Sequence, residues 1–307
     1  MLTLLALVPV VGLLMFIYFN DKKEKEPFGF LIALFFLGMA TTVTAIVGEL
    51  AGDAILGGIF DSDSALAQAL SAMLIVAPCE ELGKFIVLRL MTWKNKNFNY
   101  SYDALVYAVF VSLGFAALEN IGYVFMGNGV LTAILRMLVA VPGHACYAVF
   151  MGYFYSKAKY ASLTGKKGKC ALFFLLSIFV PILMHGIYDA VLFVAGVSDS
   201  GLAMGVSFLI WIAFVIAMFV VSVITVIRAS RKDFCIVTLS DGMQTVYVPQ
   251  VAGSWTCACG SSNYLNFCPK CGRQRPVVNS WYCPRCGALT AYNFCGNCGQ
   301  SKYAPPV

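Results

Sequence analysis

The chain has 307 residues, of which 60% are hydrophobic and only 12% are charged, and its net charge is +6. A soluble globular domain carries about 25% charged residues, so this composition excludes an ordinary soluble enzyme and a disordered chain. It indicates a protein that lies largely in a bilayer. Membrane proteins keep lysine and arginine in cytoplasmic loops, so the positive charge is not by itself a sign of nucleic-acid binding.

Apolar runs of about 20 residues recur through the first three quarters of the chain, and each is long enough to cross about 30 Å of hydrocarbon. They predict an all-α polytopic membrane protein with about seven transmembrane helices. The predicted helices cover 1–19, 28–50, 66–90, 103–126, 131–156, 170–195 and 202–227. The lysines near the first run follow the apolar stretch instead of preceding it, which favours an uncleaved anchor over a signal peptide.

Basic residues occur in alternate connections between the predicted helices. Lysine or arginine follows the first, third, fifth and seventh runs, whereas the connections at 51–65, 126–131 and 196–201 contain neither. An excess of positive charge in short loops marks the cytoplasmic side of a membrane. The pattern predicts an N-terminus outside the cell and a C-terminus in the cytoplasm.

The composition divides the chain into a membrane part at 1–230, a linker or short β segment at 231–252, and a cysteine-rich tail at 253–307. The tail repeats one unit twice: an aromatic residue, a cysteine pair, Asn-Phe-Cys, and a last cysteine followed by glycine. The cysteines are Cys257, Cys259, Cys268 and Cys271 in the first unit, and Cys283, Cys286, Cys295 and Cys298 in the second.

Four thiolates in each unit match a tetrahedral zinc site, so the tail resembles a double zinc ribbon with two structural Zn²⁺ ions. The first pair departs from the pattern, because it is C-x-C instead of C-x-x-C. Disulfides are the alternative, which a reducing cytoplasm disfavours. A closed four-cysteine shell leaves no position for a substrate, so we expect this ribbon to dock a protein partner. Its few basic residues form no dense patch, which disfavours nucleic-acid binding.

Ionisable residues inside the predicted helices are the strongest sign of function, because each costs about 2.5–3.5 kcal/mol at the centre of a membrane helix. The set comprises Glu80, Glu81, Lys84, Glu119, Arg136, His144, His185 and Asp189. Glu80 and Lys84 are four residues apart and share a helix face, whereas Glu81 is rotated by about 100° and is expected to point elsewhere. His185 and Asp189 also share a face. Arg136 is expected to snorkel or pair near the outer end of its helix.

Four motifs follow one another on successive predicted helices. They are E-E-x-x-K from Glu80, F-x-x-x-E-N ending at Asn120, H-A-x-x-A-x-x-x-G-Y from His144 and H-x-x-x-D from His185. In this order they resemble the PrsW family of intramembrane proteases, which is related to the CAAX prenyl proteases and the bacterial Abi membrane proteins. The resemblance covers about 1–228, and most sharply 78–190.

The resemblance implies a multi-pass protein of the plasma membrane that cleaves a membrane-protein substrate at a site near the bilayer midplane, in regulatory proteolysis such as anti-sigma factor cleavage. Whether the cleaved bond lies within the bilayer or at its edge stays open. It also implies a catalytic set, which comprises Glu80, Glu81, Glu119, His144 and His185. Family members are treated as metalloproteases, whereas related CAAX-type enzymes use Glu and His directly on water. The likeness therefore leaves the metal dependence open.

Peptide hydrolysis needs a base that activates water and a cation or donors that stabilise the oxyanion. Glu80 or Glu81 is expected to be the base, and His144 and His185 to be ligands of a third Zn²⁺ or oxyanion donors. Glu119 and Asp189 would be further ligands or orienting groups. Lys84 would then neutralise Glu80.

Two other classes of function fit parts of the sequence. Acidic and histidine residues near the midplane of a bilayer also serve proton-coupled transporters, but no inverted repeat is evident. A non-catalytic receptor or scaffold that docks partners through its ribbon would be expected to lose the paired glutamates and the two histidines. The sequence therefore favours an intramembrane peptidase.

Overall fold

The computed structural model describes residues 2–61, 64–126 and 130–236, and in the tail 255–257, 259–260, 262–263, 281–282 and 289–290. The chain forms two compact units, Met1–Pro249 and Gln250–Val307. The described part of the first unit contains these helices in chain order: α1 Leu2–Asn20, α2 Phe28–Gly57, α3 Ala65–Ser71, a π-helical turn Ala72–Val76, α4 Ala77–Thr92, α5 Asp103–Met126, α6 Val130–Leu138, α7 Ala140–Leu163, α8 Lys167–Gly196 and α9 Gly201–Arg231.

Five helical segments of the described residues are long and apolar enough to cross a membrane, which makes the chain a multi-pass membrane protein. They are Phe28–Gly57, Asp103–Met126, Ala133–Leu163, Lys167–Gly196 and Gly201–Arg231. The predicted first span corresponds to a shorter apolar stretch, Leu7–Asn20. The predicted third span is divided among α3, the π turn and α4, and its charged residues lower its hydropathy. The count of seven spans therefore stays a prediction.

The helix is interrupted in this third region, immediately before the paired glutamates. Pro78 has no backbone N–H and cannot donate to the carbonyl of Leu74, and the π turn Ala72–Val76 lies directly before it. Single π turns within α-helices are frequent at functional sites. Glu80 and Glu81 follow in the first turns of α4, so the interruption places them next to a widened section of helix.

Helix α5 lies at the centre of the first unit, and most of its 24 residues are buried. It crosses α2 at two glycines that face each other's backbone. A Cβ atom added to Gly38 would lie 2.0 Å from the carbonyl oxygen of Val111, and one added to Gly114 would lie 2.0 Å from that of Phe35. Only a residue without a side chain lets two helices approach this closely.

Helix α7 packs against another face of α5 by the same device. A Cβ atom added to Gly152 would lie 2.6 Å from the carbonyl oxygen of Ala104. The small residues after His144 thus admit a neighbouring helix, and α5 is that helix. Helix α9 is peripheral and buries a single stripe at helical spacing: Trp211, Val215, Met218, Ser222, Val226 and Ser230. Its other faces are apolar and exposed, as lipid contact requires.

The segment after α9 pairs with the loop before α5. The Ser101 N–H donates to the Phe234 carbonyl at 2.9 Å, and Cys235 forms an isolated β-bridge with Tyr100. Asp103 begins α5, and its Oδ2 accepts from the Tyr100 N–H, at 2.6 Å, so it holds the preceding loop. The rest of the predicted linker, 237–252, lies outside the described residues.

The described part of the tail consists of two short antiparallel hairpins. Trp255–Thr256 pairs with Ser262–Asn263, and Trp281–Tyr282 pairs with Leu289–Thr290. A cysteine pair lies between the strands of each hairpin, which agrees with one unit written twice. Gly260 has a φ of 83° and its N–H donates to the Cys257 carbonyl at 2.8 Å, as in a knuckle turn. The other six tail cysteines lie outside the described residues, so the zinc ribbon stays a prediction.

Candidate active site

Ionisable side chains from five helices gather in one buried cluster within the first unit. Helix α4 contributes three of them, and α5, α6, α7 and α8 contribute the others. They are Glu80, Glu81, Lys84, Glu119, Arg136, His144, His185 and Asp189. The five residues of the implied catalytic set and Asp189 are therefore neighbours in space.

Lys84 is the centre of the cluster and is completely buried. Its Nζ lies 2.7 Å from Glu81 Oε1, 3.1 Å from Glu80 Oε2 and 3.1 Å from His144 Nδ1. The expectation that Glu81 points away from Lys84 is wrong, because residues three apart also share a helix face. Lys84 therefore compensates both carboxylates, and its ammonium also lies 4.0 Å from the centre of the Phe115 ring.

The hydrogen bonds of His144 fix its tautomer. A lysine ammonium can only donate, so His144 Nδ1 accepts from Lys84 and the proton of the neutral ring lies on Nε2. That nitrogen lies 2.8 Å from Glu119 Oε2 and donates to it. A histidine whose outer N–H is held by a carboxylate presents its other nitrogen as a lone pair, which is the arrangement of a metal-binding histidine.

His185 is held between two carboxylates. Its Nδ1 lies 3.0 Å from Glu81 Oε1 and its Nε2 lies 3.1 Å from Asp189 Oδ2, so the predicted i, i+4 pair is formed. The Tyr147 ring stacks on the imidazole at 4.7 Å between centroids and fixes the plane of the ring. The sequence contains no signal for Tyr147, because its contact depends on how α7 and α8 pack.

Arg136 belongs to the same network, although the sequence points to snorkelling or pairing near the membrane surface. Its Nη2 lies 2.9 Å from Glu119 Oε2, and its Nε donates to Asn120 Oδ1 at 3.0 Å. The guanidinium carbon also lies 4.0 Å from the centre of the Tyr123 ring. The short helix α6 is thereby tied to α5 at Glu119, the partner of His144.

Four of these residues fit a metal ion by the chemistry of their donors. Glu80, Glu81, His144 and His185 each offer one ligand atom, and these atoms all lie within 4.8 Å of one another. Both Nδ1 atoms face Glu80 Oε2, at 4.0 Å from His144 and 3.9 Å from His185. Glu81 Oε2 is buried and has no hydrogen-bond partner in the part of the chain that the structure describes. A metal cation would give that oxygen a binding partner. The Lys84 ammonium supplies positive charge to the same two carboxylates.

Comparison with known proteins points to one family. Residues 26–226 match the family described as "PrsW family intramembrane metalloprotease". Curated relatives named "Protease PrsW" include that of Geobacillus kaustophilus, 37% identical over 183 residues, which are 59% of this chain and 75% of the relative. That of Halalkalibacterium halodurans is 34% identical over 61% of this chain and 81% of its own length. That of Bacillus subtilis is 33% identical over 61% and 80%. No solved structure was found to be similar.

Proposed function

Because the chain belongs to the PrsW family of intramembrane metalloproteases and is an intramembrane peptidase, we propose that it hydrolyses its membrane-protein substrate at Glu80, Glu81, His144 and His185. The convergence of these four buried donors within 4.8 Å carries the proposal. The relatives favour a peptidase over a receptor or a transporter. The chain has two histidines, and both belong to this cluster. A purely structural role of one histidine would not require the other to lie beside it.

His144 and His185, with one carboxylate of the quartet, would hold a divalent metal and leave one position open. When bound, the metal supplies a Lewis acid for the peptide carbonyl and a water of lowered pKa. His144 supports this role because its tautomer leaves Nδ1 without a proton, and this lone pair accepts from Lys84 Nζ beside Glu80 Oε2. Glu119 and Asp189 then act as the carboxylates that orient the two imidazoles. Lys84 lies among the same oxygens and balances their charge.

The two glutamates have different surroundings, which assigns them different tasks. Glu81 is fully buried and its Oε1 contacts both Lys84 and His185, so it serves as an anchor for these two side chains. Glu80 keeps 7% exposure of its side chain, and Lys84 is its one partner within 3.5 Å among the described residues. A general base must exchange protons with water and substrate, which favours Glu80.

The orientation of the chain follows from its basic loops. The N-terminus would lie outside the cell and the tail in the cytoplasm, since lysine and arginine occupy alternate connections. The tail would fold as a double zinc ribbon around two structural Zn²⁺ ions and dock a protein partner, and a cytoplasmic location keeps its thiols reduced. The substrate would be a membrane-anchored regulator, as the family resemblance implies.

Mapping of new N-termini in membranes tests the activity while the substrate is still unidentified. Cells that produce the full chain are compared with cells that produce Glu80→Gln, and membrane proteins are searched for N-termini that arise within or beside transmembrane segments. Glu24→Gln is the matched control, because Glu24 is an exposed carboxylate of the loop between α1 and α2. We expect the new N-termini with the wild type and with Glu24→Gln only. Equal cleavage by Glu80→Gln would contradict the assignment.

Elemental analysis of the purified full chain tests the metal. We expect about three zinc ions per chain, two in the ribbon and one in the membrane site, and about two in the His144→Ala, His185→Ala double variant. The same zinc content in both proteins would contradict a metal at the quartet. Hydrolysis would then be carried out by glutamate and histidine directly on water, as in the related CAAX-type enzymes.

A further inference from the structure

A second feature of the first unit lies far from the acidic cluster, at the basic end of the helices. Helices α7 and α9 diverge there and leave a cavity of about 650 Å³, closed on its third side by the start of α5. The cavity wall combines aromatic rings with three cations. The cations are Lys157, Arg228 and Lys232.

None of these three cations is paired with a carboxylate among the described residues. Lys157 lies over the Tyr153 ring, with its Nζ 4.2 Å from that centroid and 5.6 Å from the centroid of Phe173. Asp233 is next to Lys232 in sequence, but its Oδ1 accepts from Ser101 Oγ at 2.8 Å and from the Tyr102 N–H at 2.9 Å. Within the described residues, the lining of this cavity therefore includes three cations and no carboxylate.

The same three helices continue into an apolar cleft deeper in the bundle. A second cavity of about 180 Å³ lies between these helices and α1, and the apolar side chains that line it include Val109, Val149 and Val226. Val109 is one turn beyond Leu105 of the first cavity, Val149 is one turn before Tyr153, and Val226 is close to Ala229. The two cavities thus succeed each other along one groove, with charge at the helix ends and apolar surface inside.

This arrangement matches the two parts of a phospholipid. The three cations, Lys157, Arg228 and Lys232, lie near the ends of helices that are followed by the basic connections. Such helix ends lie at the level of the lipid headgroups, on whichever side of the membrane they are. We propose that the groove between α7 and α9 binds an anionic phospholipid, with its phosphate at the three cations and an acyl chain along the apolar cleft. The inference rests on the multi-pass fold and not on the proposed catalytic residues.

Native mass spectrometry of the full chain in detergent tests the site with phosphatidylglycerol, phosphatidylcholine and inorganic phosphate as probes. The variant is Lys157→Gln, Arg228→Gln, Lys232→Gln. The control removes the same charge from exposed lysines at the same end of the helices: Lys166→Gln, Lys167→Gln, Lys169→Gln. We expect one phosphatidylglycerol bound about tenfold more tightly than phosphatidylcholine, a loss of about tenfold or more in the groove variant, and a change below about twofold in the control.

Each other result overturns the proposal. Equal losses in both triple variants would show a general attraction of anionic lipid to basic loops. Equal affinities of the wild type for the two lipids would show that the three cations do not select an anionic headgroup. Inorganic phosphate that displaces phosphatidylglycerol at comparable affinity would identify a free phosphate and not a lipid as the ligand. Melting curves of the variants report on folding, and the single Arg228→Gln variant gives a milder form of the same comparison.

Discussion

The ammonium of Lys84 has no contact with solvent and balances two glutamates that are themselves almost completely buried. Removal of one partner from a buried ion pair leaves an uncompensated charge in a medium of low dielectric, which is more costly than the loss of the contact itself. Three groups depend on this one ammonium, since His144 also accepts from it. Lys84 therefore contributes to stability as well as to the geometry of the site.

We expect Lys84→Met to lower the free energy of unfolding by about 3–5 kcal/mol, because Glu80 and Glu81 lose their counter-ion. Thermal melting of the purified protein measures this. The double variant Glu80→Gln, Lys84→Met should recover part of the loss, since one buried charge has been removed with the cation. A single variant as stable as the wild type would contradict a charged buried triad.

Arg136 tests whether the helix next to the site takes part in catalysis. It contacts Glu119, whose carboxylate accepts from His144, so we expect it to be a positioning residue that acts through another side chain. We expect Arg136→Ala to lower kcat about tenfold or more with little change in KM, because substrate binding does not depend on the imidazole orientation. Arg136→Lys should restore part of kcat through the remaining ion pair with Glu119.

The matched control for this prediction is Leu135→Ala, because Leu135 belongs to the same short helix and is 55% exposed. It should leave both kinetic constants unchanged. A purely structural role of Arg136 would instead lower the melting temperature of Arg136→Ala and leave kcat of the folded fraction at the wild-type value.

Sequence reasoning locates this site where spacing along one helix defines it. The pairs Glu80–Lys84 and His185–Asp189 follow from residues four apart, and both are formed. Sequence reasoning does not predict contacts between helices, because these depend on the crossing angles and on which face of each helix points to the interior of the bundle. The pairing of Arg136 with Glu119 is of this kind.

At the scale of the elements, the crossing of α2 and α5 depends on two glycines. Because the backbones already touch, a methyl group at either position must displace a carbonyl and separate the helices. We expect Gly114→Ala to destabilise the protein by about 1–3 kcal/mol or more, in spite of the better helix propensity of alanine. Melting temperatures report the effect.

Gly205→Ala in α9 is the control for this prediction, because a Cβ atom there meets nothing within 4 Å. Removal of a glycine from a helix is then expected to be neutral or to stabilise by up to about 1 kcal/mol. Equal effects of the two substitutions would show that the helices do not cross at Gly114.

Hydrophobic runs predict the positions of the long helices because each must be apolar over about 20 residues. The third run is less regular, and there the structure divides into α3, the π turn and α4. The cause of this division, the missing N–H of Pro78, is visible in the sequence. The π turn that results is not, since a proline can also kink or end a helix. The sequence likewise predicts the repeated unit of the tail. Each described strand of its hairpins has two residues.

Two acids of the connection between α1 and α2, Asp21 and Glu26, are buried at the basic end of the helices. Burial, together with the nearby Asp233 carboxyl, raises the pKa of Asp21 to about 6 against the opposing charge of Lys25. Burial also raises the pKa of Glu26 to about 7, although it accepts a hydrogen bond from the Tyr107 hydroxyl at 2.6 Å. Both groups are more easily ionised in the unfolded chain than in the folded one.

Stability should therefore fall as the pH rises. For a carboxyl with a raised pKa, the stabilisation is complete below the unfolded value near 4 and is lost as the pH passes about 6 to 7. We expect Asp21→Asn, Glu26→Gln to melt at a higher temperature than the wild type at pH 8 and to show a smaller decrease between pH 5 and pH 8. The gain is at most about 3 kcal/mol per carboxyl. Glu24→Gln, at an exposed carboxylate, is the control, and an unchanged pH dependence in the double variant would contradict this account.

We propose that four side chains from three helices form one hydrolytic centre. Its most direct test is the kcat/KM of purified, reconstituted protein on the membrane protein whose cleavage the N-terminal mapping identifies. The variants are Glu80→Gln, Glu81→Gln, His144→Ala and His185→Ala, alone and combined. Residues that act as a unit give non-additive losses, so we predict that each single variant loses about 10²–10⁴ in rate and that the quadruple variant loses little more than the worst single one. Cleavage at the wild-type rate by the quadruple variant would place the chemistry elsewhere.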